Sequence, residues 1–145
     1  MKTSNFELRT SSLRFSDVVP MTPIVLLALL AVEALYEGGT FTEGPAVAAD
    51  GSVYFSDITA SARSREAGHI LRYDPRTGKT TVFRSPSGMA NGLAFDAQGR
   101  LVAAEGADRG GRRVTRTDLR TGRSEVLAWK YDGRLLNSPN DLAID

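Results

Sequence analysis

Two stretches of this chain, 43-EGPAVAADGSVYFSD-57 and 91-NGLAFDAQGRLVAAE-105, lie over one another without a gap at an offset of 48 residues. Each reads as a short apolar strand, an Asp/Gly turn and a second strand of alternating character. A second pair follows, 70-ILRYDPRTGKTTVF-83 over 114-VTRTDLRTGRSEVL-127, at an offset of 44. Both are hairpins of the form strand-Asp-x-Arg-Thr-Gly-strand, with Gly78 and Gly122 supplying the positive φ of a tight turn. The change of offset falls in the intervening loop, four residues longer in the first copy ("ITASARSREAG"). Asp-Gly hairpins are common, but chance does not align fifteen positions and then a second hairpin behind them.

Four short strands in every ~45–50 residues is the signature of a β-propeller blade. The expected fold is therefore all-β, a partial propeller of about two blades plus the start of a third. The third copy is seen in 140-NDLAID-145, which overlays 91-NGLAFD-96 at an offset of 49. A propeller closes with roughly 4–8 blades, and unpaired strand edges are avoided in natural proteins. The chain is expected to be the N-terminal part of a longer ring.

The overlay puts Glu43, Asn91 and Asn140 in one structural slot, at the entry of the innermost strand of each copy, where a propeller blade faces the central channel. A carboxylate and two amide oxygens converging on an axis suit a hard cation such as Ca²⁺, which takes about six to eight oxygen donors. Further blades would supply the remainder. Singly, Asn-Gly and Glu-Gly-Pro are ordinary bends. Their shared register favours a metal for Glu43 and Asn140 and leaves Asn91 balanced between turn and ligand. Asp57, at a strand end, reads as a turn cap.

The totals narrow the chemistry. The 145 residues carry 18 basic and 17 acidic side chains, a net charge of +1, with no clustered basic excess that would indicate a nucleic-acid partner. Arg109-Gly-Gly-Arg-Arg113 reads as a solvated hairpin tip. Cysteine is absent and His69 is the one histidine, so a disulfide, a thiolate centre and a Ser-His-Asp relay all fall away. His69, at a strand entry, is expected to be a hydrogen-bonded turn residue. Any reaction has to rest on carboxylates, amides and a hard metal.

The apolar run in 23-PIVLLALLAVEA-34 is shorter than the ~20 residues a spanning helix needs. No integral membrane segment is expected. With Lys2, Arg9 and Arg14 upstream and a Val32-x-Ala34 end, residues 1–34 read as an export signal, giving a periplasmic or secreted protein. The alternative is a buried first element of a cytoplasmic one. The propeller part is expected over 35–145.

"FTEGPAVAADGSVYFSD", "NGLAFDAQGRL", "RRVTRTD" and "NSPNDLAID" together resemble the gluconolactonase / senescence-marker protein (regucalcin) / luciferin-regenerating enzyme family, from about Leu35 to the last residue. The resemblance implies a six-bladed propeller with one divalent cation in its channel, Ca²⁺ favoured over Zn²⁺, and hydrolysis of a small-molecule lactone. It implies that Glu43 is the first-blade metal ligand and that Asn140 is the amide touching the metal, its water or the substrate. Asp141 would support that loop. The regucalcin branch carries an arginine as substrate contact where this chain has Ser138, which argues against sugar-lactone specificity of that kind. Asn91 falls in a blade where the family does not regularly place a ligand. The family's general base, an Asp of a later blade, would lie beyond Asp145, so no catalytic base is expected within this chain. The other reading is a non-catalytic propeller module with a structural metal. Six repeats of ~48 residues predict that the intact mass of the native protein is near twice the 15.6 kDa of this chain; a native species at 15.6 kDa would contradict the longer ring.

Overall fold

The computed structural model describes residues 32–58, 68–106 and 110–145. The export-signal reading therefore lies, up to residue 31, outside the described residues, as does most of the long loop after residue 58. The chain divides into two units, Met1–Glu33 and Ala34–Asp145, and all that follows concerns the second. Among the described residues no helix is long and apolar enough to cross a membrane.

Strands β1 (Thr42–Val47), β2 (Val53–Asp57), β3 (His69–Asp74) and β4 (Lys79–Arg84) form one antiparallel sheet in chain order. Strands β5 (Ala90–Phe95), β6 (Leu101–Glu105), β7 (Arg113–Thr117) and β8 (Ser124–Ala128) form a second of the same topology. A short hairpin follows, β9 (Lys130–Tyr131) with β10 (Arg134–Leu135). The fold is all-β, and the two sheets are successive four-stranded propeller blades.

The repeat extends to the irregularities. Register shifts between Glu43 and Ala46 in β1, and between Ala90 and Leu93 in β5. It shifts again between Ile70 and Leu71 in β3, and between Val114 and Thr115 in β7, positions 44 apart. The β3–β4 and β7–β8 turns close alike: Gly78 N donates to Asp74 O and Gly122 N to Asp118 O, each at 2.9 Å. Asp74 is held below the usual carboxylate range chiefly by the Arg76 side chain, and Asp118 by the backbone amide of Thr121.

The core lies where one blade meets the next. Tyr54 of β2 stands edge-on to Phe83 of β4, with centroids 5.0 Å apart, and to Phe95 of β5 in the next blade at 5.4 Å. Burial raises the Tyr54 phenol above its ordinary pKa. Ala46, Ala90 and Ala103 let the inner strands approach closely around it. One repeat later, Val102 and Leu127 occupy the positions of Tyr54 and Phe83, and Leu142 and Ile144 those of Leu93 and Phe95. These four border a cavity of about 380 Å³ on the far side of the second blade. Residues 140–145 form no strand.

A polar lock spans the same blade seam. Glu105 at the end of β6 is fully buried. Its Oε1 accepts from Arg84 Nη2 of the first blade at 2.6 Å and from Thr115 Oγ1 at 2.8 Å, and its Oε2 from Arg113 Nε at 2.7 Å. Arg113 is thus a partner of a buried acid, whereas the sequence suggested a solvated tip. Arg84→Ala is expected to cost about 3 kcal/mol, because a buried carboxylate loses a charge partner. Arg116→Ala, which breaks the outer pair with the exposed Glu125, should cost less than about 1 kcal/mol. Urea denaturation of the two variants checks the contrast.

Candidate functional site

The inner strands of successive copies approach one another at their entries. Ser56 Oγ donates to Asn91 O at 2.8 Å, and Gly92 N donates to Asn140 O at 2.7 Å. Two glycines make this possible. A Cβ on Gly44, whose φ is +51°, would fall on the Asn91 carbonyl, and one on Gly92 would lie 2.5 Å from Asp141 Oδ1 and 2.9 Å from Asn140 O. The three slot residues are thereby drawn to one place.

Glu43, Asn91 and Asn140 line a single cavity of about 260 Å³, together with Ser138. Glu43 and Asn91 are half-buried, and Asn140 and Ser138 are exposed. The side chains of Glu43, Asn91 and Asn140 make no hydrogen bond to another described residue, so their oxygens are available to a ligand. Asp141 does not line the cavity. Its Oδ1 accepts from the Leu142 amide at 2.8 Å and lies against Gly92.

One carboxylate and two amide oxygens fit a hard cation in kind, and make up about half of the six to eight donors Ca²⁺ takes. Among the described residues no three His, Cys, Asp or Glu side chains gather, so an all-acidic or imidazole centre is not formed there. His69 Nδ1 pairs with Ser85 Oγ at 3.0 Å, the hydrogen-bonded role expected of it.

Five lining residues were not singled out from the sequence: Phe41, Ile58, Met89, Gly106 and Pro139. The repeat held the signal. Phe41, Met89 and Ser138 each stand two residues before a slot residue, and Ile58 and Gly106 each follow the end of a blade's second strand. The overlay also aligns Asp57 with Glu105. Asp57, buried, accepts from the amides of Thr40 at 3.2 Å and Phe41 at 3.3 Å and so caps the chain entering β1.

Two four-stranded blades, with a cavity lined by residues from the entries of their inner strands, form part of a β-propeller. The chain belongs to the SMP-30/gluconolactonase/LRE-like family, whose model matches residues 41–145. It is similar to a solved gluconolactonase from Xanthomonas campestris described as important in glucose secondary metabolic pathways. The two are 35% identical with a TM-score of 0.61, covering 74% of this chain and 32% of that one. It is also similar to an X-ray structure described provisionally as a gluconolactonase, at 31% identity and a TM-score of 0.64, over 77% of this chain and 35% of that one. The chain thus spans about a third of the length of these solved structures. No protein of curated function matches the sequence.

Gly92→Ala is expected to destabilise the fold by about 1–3 kcal/mol, since the added methyl meets the backbone of residues 140–141. Gly99→Ala supplies the control, because there only the positive φ opposes the methyl and nothing lies within 4 Å. Urea unfolding of both separates the steric cost from the backbone cost.

Proposed function

We propose that this chain forms two blades of a metal-dependent lactonase of the gluconolactonase kind. One observation carries this reading: residues of the same repeat position, Glu43, Asn91 and Asn140, line one cavity, and their side-chain oxygens bond to no other described residue. Family membership supports it.

The Glu43 carboxylate and the Asn140 amide would hold a divalent cation. Oxygen donors without imidazole or thiolate favour Ca²⁺ over Zn²⁺. Bound there, the cation would supply Lewis acidity toward a lactone carbonyl. The chain's own residues do the rest of what this part can do. Asn91 offers a hydrogen bond to a lactone oxygen, and Asp141 holds the loop that presents Asn140. Among the described residues that line the cavity Glu43 is the one carboxylate, and as a ligand of the cation it would not serve as general base. Residues 1–34, as an export signal, would send the protein to the periplasm or outside the cell.

Calorimetric titration with CaCl₂ tests the assignment. The chain should bind one Ca²⁺ weakly, with Kd of order 10⁻³ M for an incomplete oxygen shell. Glu43→Gln should abolish the binding and Asn140→Ala weaken it. Binding indifferent to Glu43→Gln would overturn the proposed centre and favour a propeller module without this metal.

A further inference from the structure

The wall of the cavity is built in the repeat register, and it has an apolar part beside the polar slot residues. Above the slot residues stand Phe41, Met89 and Ser138, flanked by Ile58 and Pro139. Glu43 is the one charged side chain among the residues lining the cavity. The apolar positions are held firmly. Phe41 receives the Ile58 amide on its carbonyl at 3.1 Å, and its own amide is bound by the buried Asp57. Met89 has a φ of +54°, a conformation that a bulky side chain rarely adopts. It is kept there by Gly106 N donating to its carbonyl at 3.0 Å and by Ser87 Oγ accepting from Ala90 N at 3.2 Å. Gly88, beside it, packs directly on the Glu105 carboxylate. Strain of this sort persists only where the surroundings over-determine it, and it gathers at ligand clamps. Two buried acids of one repeat position, Asp57 and Glu105, thus each brace one side of an apolar wall.

Given a lactone site in this cavity, we propose that it takes an uncharged lactone bearing a hydrocarbon substituent, which lies against Phe41, Ile58 and Met89. A polyhydroxylated ring would turn hydroxyls toward these side chains and lose hydrogen bonds to water without replacement.

Methyl-detected NMR of the 145-residue chain, labelled at Met and Ile methyls, tests this with two hydrolytically inert lactams in the presence of CaCl₂. One lactam carries a butyl group on its six-membered ring and the other is polyhydroxylated. The butyl lactam should shift the Met89 and Ile58 methyls and bind about tenfold or more tighter than its polyhydroxylated counterpart. Met89→Asn retains a residue that tolerates the left-handed backbone while removing the apolar side chain. It should weaken butyl-lactam binding several-fold with Tm unchanged or raised. Equal or tighter binding of the polyhydroxylated lactam would overturn the apolar wall and leave the lactone site standing. Failure of both lactams to shift any cavity methyl would remove the lactone site itself. Unchanged butyl-lactam affinity in Met89→Asn, with a lowered Tm, would make Met89 structural and overturn its part in the site.

Discussion

A four-stranded meander has two faces and cannot bury both by itself, so a propeller blade is stable only when stacked on a neighbour. In this chain the stacking is made by Tyr54, which fills the space between the outer strand of its own blade and the inner strand of the next. The alanines around it bring the inner strands close enough for Ser56 to reach the Asn91 carbonyl. Angle, spacing and channel all follow from that packing. Val102, Leu127, Leu142 and Ile144 take the corresponding positions one blade on, where they border a cavity instead of filling it.

Apolar packing sets how far apart the blades lie, and the buried acids set how the connecting loops leave them. A carboxylate taken out of water is costly unless its oxygens are met. Glu105 satisfies this with two arginines and a threonine, and Arg84 comes from the preceding blade. Asp57 satisfies it with backbone amides of the entering chain. The same slot therefore fastens the second blade to the first and the first blade to its lead-in segment. The Asp57 fastening ends at Phe41, which lines the cavity, and Glu105 is followed directly by Gly106, which also lines it.

Both blades, and the segment that follows them, contribute the same repeat positions to one cavity. Slot residues provide oxygens, residues two earlier provide the wall above them, and residues after the second strands complete it. Chemistry then varies by substitution at fixed places. Ser138 and Met89, the latter in a left-handed conformation, occupy two such places in this chain.

The blades, their strands and the slot shared by Glu43, Asn91 and Asn140 were legible in the sequence, because propeller blades repeat and hydrophobic alternation with Gly turns is a local property. Membership of the family was legible for the same reason, since its motifs sit at those turns. The overlay also placed Asp57 over Glu105 and Phe41 over Met89, yet nothing local marked either pair as important. Whether Glu105 is solvated or sealed depends on Arg84, 21 residues away in the neighbouring blade. Likewise, Met89 enters the cavity only because Gly106 and Ser87 hold its backbone where a methionine would not otherwise rest. Sequence by itself determined which residues recur. Only the tertiary structure decided which recurring residues meet, because burial and partner choice arise between blades, where side chains distant in the chain share one desolvated seam.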